Sequence, residues 1–451
     1  MKIAIIGSGI SGLTAAWYLH NQHDITLFEA NDYVGGHTAT VDVTVESGDY
    51  AIDTGFIVFN DRTYPNFERL MEEVGVEGQP TQMSFSVRND NTGLEYNGHT
   101  ISTLFAQKRN LFKPSFYRFL GEIVRFNKMA KTAADDVELR WQTLGDFLTE
   151  HQFSDEFCEN YILPMGAAIW SSTLSDMRRF PLDFFLRFFL NHGLLDITNR
   201  PQWAVIPGGS REYVRKMTPA FSDRIRLNTP VEKVYRQQDK VLINSVAGRE
   251  EFDHVIFACH SDQALALLAD ASGDERDVLS PMTYQDNEVV LHTDTNLLPK
   301  AEAAWASWNY HLPASDSDSE QADTGLEHRP AALTYNMNIL QGISSPETFC
   351  VTLNQTDRID PDKILRRFVY AHPVFTTESI AAQKERGRVN GVQNTWFCGA
   401  YWYNGFHEDG VRSALDVVNG INQLDIAPKP NQPESMSKPH AAAFSGIEPQ
   451  G

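Results

Sequence analysis

The sequence predicts an α/β protein, a parallel sheet interrupted by an inserted α+β domain. Three observations carry this. An apolar run at residues 2–6 leads into Gly7-Ser8-Gly9-Ile10-Ser11-Gly12 and then into a helical pattern. A second apolar run, 25–28, closes on the acid Glu29. Strand-like segments then return after residue 225, beyond a long helical stretch rich in Phe. A strand, glycine turn, helix and strand at the start, with strands resuming late, describe one Rossmann-like sheet assembled from separated pieces of chain.

Taken in order, residues 2–6 are continuously apolar, as a strand buried on both faces requires. Residues 13–20 place Leu13, Ala16 and Trp17 on one helical face, and 25–28 form the second strand. Residues 103–131, 141–162 and 176–195 read as helices. Strands follow at 225–227, 231–235, 241–243 and 255–259, and a second set at 288–292, 331–337 and 348–353. From Thr395 the chain reads as a strand, a Gly-rich aromatic turn, and a helix starting near Asp409. The predicted division is a discontinuous nucleotide domain from 1–60, 205–285 and 390–425, with a substrate domain from 61–204 and 286–389. Residues 313–328 hold five acids and no Lys or Arg, which predicts an exposed loop, and 426–451 reads as a disordered tail. No internal repeat is present.

The 451 residues carry 38 Lys+Arg against 59 Asp+Glu, a formal charge of 38 − 59 = −21. That length calls for more than one core, and that charge argues against a nucleic-acid partner. Cys158, Cys259, Cys350 and Cys398 form no metal-ligand or redox spacing, so no metal site is expected. With no secretory pattern and no apolar run of spanning length, the expected location is cytoplasmic, in peripheral contact with the inner membrane surface at most.

The glycine turn has a specific chemistry. In GxGxxG, Gly7 makes the turn, Gly9 lets a pyrophosphate approach the backbone, and Gly12 allows close helix–strand packing. The helix N-terminus behind it, including Ser11, turns free N–H groups toward the phosphate. Glu29, seventeen residues beyond Gly12, stands where an acid meets ribose hydroxyls. Gly35-Gly36-His37 follows, then Asp53-Thr54-Gly55-Phe56. Near the C-terminus, Gly399 opens the turn Ala400-Tyr401-Trp402-Tyr403-Asn404-Gly405-Phe406 ahead of His407-Glu408-Asp409-Gly410-Val411. The helix beginning there would aim backbone N–H groups at an electron-rich ring oxygen.

With these motifs the chain resembles the flavin-containing amine oxidase superfamily, which includes protoporphyrinogen oxidase and phytoene desaturase relatives, over roughly residues 1–425. Within it, the chain is similar to a bacterial branch associated with fatty-acid modification, alongside a flavin-dependent fatty-acid double-bond isomerase. The resemblance implies non-covalent FAD, with Val231 on the adenine half, Gly55, Phe56 and Ile57 near the flavin, and Gly410 and Val411 at its pyrimidine edge. Two departures stand out. Ala400 replaces an acid the family commonly carries, and residues 284–299 lack the lysine typical of its amine oxidases, Lys300 following in a loop. With no second GxGxxG, no nicotinamide site is expected.

The resemblance places the C-terminal turn at the flavin, so Tyr401, Trp402 and His407 are the candidate catalytic, pocket-lining residues, His407 as a proton carrier. Trp170, Tyr335 and Phe406 are candidates for the substrate pocket. For each, packing in a core, or for His407 a hydrogen bond to a nearby carbonyl, is the alternative. Residues 180–189 hold five of the 27 phenylalanines, a wall suited to an apolar substrate or simply a helical core. Residues 108–131 carry seven Lys/Arg and one Glu among aromatic residues, either a solvated face or a membrane-surface helix within 103–131. The expected activity is hydride transfer from a fatty-acyl chain or another small apolar substrate to FAD. Double-bond isomerisation, amine oxidation and non-enzymatic binding are the alternatives.

Overall fold

The computed structural model describes residues 1–134, 142–196, 200–314 and 331–426. Most of the 313–328 segment and residues 427–451 of the tail lie outside these. Five strands run parallel in the spatial order Ile225–Arg226, Asp24–Phe28, Lys2–Ile6, His254–Phe257, Thr395–Phe397. Numbered along the chain, that order is 3-2-1-4-5, the doubly wound arrangement in which ligands bind beyond the carboxyl ends of the central strands. The strands are apolar because helices cover both faces. Ile3, Ile5 and Ile256 pack beneath the helix Ile10–Leu19 and the final helix His407–Ile426, while Ala4, Val255 and Phe257 face the other core.

A second sheet, of seven strands, has the order Ile364–Pro373, Tyr284–His292, Cys350–Leu353, Leu333–Asn336, Trp308–Leu312, Phe85–Asn89, Leu94–Asn97. All its pairs are antiparallel except Trp308–Leu312 with Phe85–Asn89. Four of these strands escape the sequence pattern. Phe85–Asn89 and Leu94–Asn97 bury Arg88, Asn89, Glu95 and Asn97, so no hydrophobic alternation marks them. Arg88 is satisfied by Asp90 at 2.9 Å and by the carbonyls of Asn296 and Leu298 at 2.6 and 2.9 Å. Ile364–Pro373 is an edge strand containing two adjacent arginines.

The Phe-rich helices form one core, but not as three continuous rods. The 103–131 reading breaks into Ile101–Leu104, a 3₁₀ turn Lys108–Phe112, and Pro114–Ala133, because Pro114 is accommodated only in the first turn of a helix. Likewise Pro181 separates Leu174–Arg178 from Leu182–Asn191. The 141–162 reading becomes Leu144–Glu150, Asp155–Phe157 and a π-type turn Cys158–Ile162 running into Leu163–Trp170. No described helix is long and apolar enough to cross a membrane.

Candidate active site

The first strand ends at Ile6, and the chain turns through Gly7 at φ +102° into the helix. A Cβ on Gly12 would lie 1.9 Å from the Gly7 carbonyl oxygen, so Gly12 serves packing and does not face the cavity. Gly9 is the opposite case. A Cβ there would meet no protein atom within 4 Å, and the residue borders open space. The helix behind it has no side-chain cap and no acid in its first turn, which leaves its N–H groups for a ligand. Glu29 accepts from the Ser8 N–H (3.0 Å) and hydroxyl (2.6 Å) and from the Asn31 backbone and side-chain N–H groups (2.9 and 3.0 Å). Its carboxylate is thereby held at the end of the second strand, on the cavity wall.

That cavity, about 2120 Å³, runs from the glycine turn to the Phe-rich helices. Sites for one small ligand occupy roughly 300–1,000 Å³, so this one has room for a dinucleotide and a second molecule. Among its described lining residues only Glu29 and the exposed Arg200 belong to the four charged types. Midway along lie three histidines and two tyrosines. His37 is 5.8 Å from His260 and 5.9 Å from His372, ring centre to ring centre, and 5.3 Å from Tyr370; His260 stacks on Tyr284 at 4.2 Å. Burial, reinforced by the neighbouring imidazoles, pushes His37 down to about 3 and His372 down to about 4, and burial alone lowers His260. The cluster is therefore neutral near pH 7. Among the described residues no grouping of His, Cys, Asp or Glu is suited to a metal ion.

His407 also lines the cavity, stacked on Phe56 at 3.5 Å, with Nε2 3.1 Å from the Thr38 hydroxyl and 3.2 Å from the Tyr213 hydroxyl. Burial holds it neutral, well below the usual imidazole range. The outer half is walled by Trp170, Phe188, His192, Trp308, Tyr335 and Phe406. Phe406 stacks on Phe188 at 5.1 Å, and Trp308 meets Tyr335 edge to face at 5.1 Å. Five buried polar atoms of lining residues have no protein partner: His37 Nε2, Asn127 Oδ1, Trp170 Nε1, Trp308 Nε1 and the Tyr401 hydroxyl.

The model of the flavin containing amine oxidoreductase family matches residues 10–422. The chain belongs to that family. It is 25% identical over 267 residues to amine oxidase [flavin-containing] A of Canis lupus familiaris, a match covering 57% of this chain and 48% of the dog enzyme, about half of that relative's length. Two solved structures share the fold at 15% identity. Cyclohexylamine oxidase from Brevibacterium oxydans has a TM-score of 0.65, covering 94% of this chain and 99% of its own. A CLA-producing fatty acid isomerase from P. acnes has a TM-score of 0.64, covering 93% and 98%.

FAD is the cofactor of this family, and the residues present fit it. The open space at Gly9, the uncapped helix and the fixed Glu29 are what a dinucleotide needs, and the unpartnered Tyr401 hydroxyl and His37 Nε2 are polar atoms left for a ligand. Gly7, Gly9, Ser11, Glu29, Gly35, Gly36, His37, Gly55, Phe56, Ile57, Val231 and Gly399 all line the cavity. Ala400 lines it too, without the acid common in the family.

Other expected contacts lie elsewhere. Asp409 is buried and accepts from the Phe406 N–H at 2.9 Å, capping the final helix; burial raises it to about 7. A Cβ on Gly410 would lie 2.7 Å from Ile10, and Val411 is fully buried between the first and last helices. These three do not line the cavity; Gly410 and Val411 pack the last helix against the first. Trp402 is also turned away, packed in the core beside Phe397 and Val389 with the Arg386 guanidinium 5.2 Å over its ring. The tight turn after Gly399 puts Tyr401, not Trp402, on the wall.

Trp170, Tyr335, Phe406 and His407 do line the cavity, but of the five phenylalanines in 180–189 only Phe188 does. Among the described residues no lysine lines it, and Lys300 is exposed, its backbone N–H donating to Glu95 at 3.0 Å. His192, His260, His372 and Trp308 are lining residues that no local motif marks.

Proposed function

We propose that this family member transfers hydride from an apolar, acyl-chain-like substrate to FAD, desaturating or oxidising it. One observation carries the reading: beyond the dinucleotide end, most of the cavity wall is aromatic and aliphatic, its polar side chains such as Gln82, Asn127 and Gln202 are uncharged, and among the described residues its single charged group is the exposed Arg200. An ammonium group would find no carboxylate there, whereas each Å² of apolar substrate surface buried contributes about 25 cal/mol. When bound, FAD supplies the ring that takes up the hydride.

The chain's own residues do the rest. Trp170, Phe188, Tyr335 and Phe406 exclude water and confine an extended chain. Trp170 Nε1 and Trp308 Nε1, donors without protein partners, are available to an ester or carboxyl oxygen and would fix how far that chain enters. The neutral imidazoles of His37, His260 and His372 bring polarity to the middle of the cavity without adding charge. His407 contributes position more than proton transfer, since its Nε2 is already engaged by Thr38 and Tyr213.

A second reading, double-bond isomerisation, is favoured by the lack of any second GxGxxG in the chain, because an isomerase needs no acceptor. The test is anaerobic mixing of the yellow holoprotein with fatty acids, acyl-phospholipids, amines and porphyrinogens. Stoichiometric bleaching by acyl compounds is the expected result. Continued turnover without bleaching assigns isomerisation, and bleaching by amines alone overturns the apolar-substrate reading.

A further inference from the structure

The structure describes eleven exposed large hydrophobic residues, and five of them fall within residues 101–124: Ile101, Leu111, Phe112, Tyr117 and Val124. Phe112 is 87% and Ile101 80% exposed, on the short helix and 3₁₀ turn that precede Pro114–Ala133. Side chains of this size standing in water on neighbouring elements mark a surface that meets something apolar.

The charge along this segment is predominantly positive. Residues 108–131 hold seven Lys/Arg and one Glu, a net of +6 in a chain of −21, so the remainder carries −27. Lys108, Lys113, Arg118 and Lys128 are exposed and make no ion pair among the described residues. The single acid, Glu122, is turned inward, where it accepts from the Ser154 N–H at 3.0 Å and from the Ser154 hydroxyl. The face is therefore cationic and apolar together.

It is also continuous with the cavity. His99, Thr100, Ile101, Leu104, Leu120, Ile123 and Val124 belong to the cavity wall, and Ile101 and Val124 are at once lining and exposed. They form a rim where the interior opens onto the basic, aromatic face.

We infer that residues 101–128 dock on the surface of an anionic lipid bilayer, with Phe112 and Ile101 inserted among the acyl chains and Lys108, Lys113, Arg118 and Lys128 on the head groups, so that the cavity opens directly onto the membrane. The apolar side chains supply burial and the cations supply the preference for negative lipid. A second copy of this acidic chain would bring the opposite charge but would bury the rim that the cavity uses. That the cavity takes its substrate from the membrane rests on the proposed function; the docking itself does not.

The experiment is sedimentation of the holoprotein with phosphatidylcholine vesicles, with and without phosphatidylglycerol, flavin absorbance reporting that each variant is folded and loaded. The wild type should bind phosphatidylglycerol vesicles in low salt and release in high salt. Phe112→Asp should weaken binding about tenfold, and Lys108→Gln with Lys113→Gln and Lys128→Gln by about a hundredfold, at roughly fivefold per charge. No binding to either vesicle, or binding that both variants leave unchanged, overturns the inference. So does a wild-type dimer in size exclusion that Phe112→Asp converts to monomer, because the face would then belong to a second copy. Vesicle binding without bleaching by acyl substrates would leave the docking standing and sink the substrate reading alone.

Discussion

The two ends of the cavity are built on different principles. The end against the parallel sheet is backbone chemistry: uncapped N–H groups, an open position at Gly9 and a carboxylate held by four hydrogen bonds. The end against the seven-stranded sheet and the Phe-rich helices is side-chain surface, aromatic and nearly uncharged. A ligand at the first end is recognised by fixed polar partners, which tolerate little change. At the second end it is recognised by shape and apolar area, so sequence can drift there while the fold persists.

The largest effect that would separate the ends is at Gly9. Gly9→Leu adds a side chain whose Cβ meets no protein atom within 4 Å and which takes up the space left for the cofactor, so the protein should fold and purify colourless, with FAD affinity down at least about a hundredfold. Gly12→Leu, aimed at the Gly7 carbonyl, should instead fail to accumulate as folded protein. Yellow Gly9→Leu protein with normal affinity would break the comparison at its strongest point. Phe188→Ala, at the far end, should keep the flavin and lose the proposed acyl substrate. Stability should fall by up to about 3 kcal/mol, the low end for a buried Phe because its ring also borders the cavity. Denaturant titration and anaerobic bleaching measure the two losses separately. Glu29→Ala comes next: replacing a charged acceptor should weaken FAD by about 1.5–3 kcal/mol, roughly ten- to a hundredfold, leaving the far end's selectivity among substrates unchanged at saturating FAD. Altered selectivity would mean the ends are coupled.

The same contrast explains what the amino-acid sequence reveals. The parallel-sheet end is legible because its signals are local: an apolar strand, three glycines, an acid at a set distance. The far end gathers Trp170, Phe188, Trp308 and Tyr335 from segments more than a hundred residues apart, and no spacing rule connects them. Its strands Phe85–Asn89 and Leu94–Asn97 bury polar side chains, of which Arg88 and Glu95 draw on partners some two hundred residues away, so a hydrophobic pattern never forms. Pro114 and Pro181 did mark the helix breaks, a signal that the aromatic periodicity on either side masks. Trp402 was misplaced for a different reason. Seven residues from Gly399 to Gly405 contain three aromatic rings, and only the turn's actual path decides which one faces inward.

The smallest effect concerns the seam between the two ends, where His37 and His372 face each other. Their folded values, about 3 and about 4, lie below the ~6.5 of an unfolded chain. Between those values the unfolded chain binds the extra protons, so stability is complete above about pH 6.5 and is lost as pH falls toward 4. His192 and His292, each lowered to about 4, act in the same direction. Asp53 and Asp409, raised by burial to about 6 and about 7, act oppositely: the stability they favour is present in acid and lost as pH rises through those values. Four histidines outweigh two carboxyls between pH 4 and 6, so the urea midpoint should rise with pH there. His372→Gln should reduce the stability difference between pH 5 and pH 7 by about 2 kcal/mol. His292→Gln, in the seven-stranded sheet and away from the cavity, should reduce it by a similar amount without FAD, since both rings are buried neutral. Adding FAD should alter only the cavity pair, because a ligand against His37 and His372 changes their surroundings and leaves His292 untouched. If FAD shifts the His292→Gln profile as much as the His372→Gln one, the seam belongs to the whole fold and the two ends are not separable units.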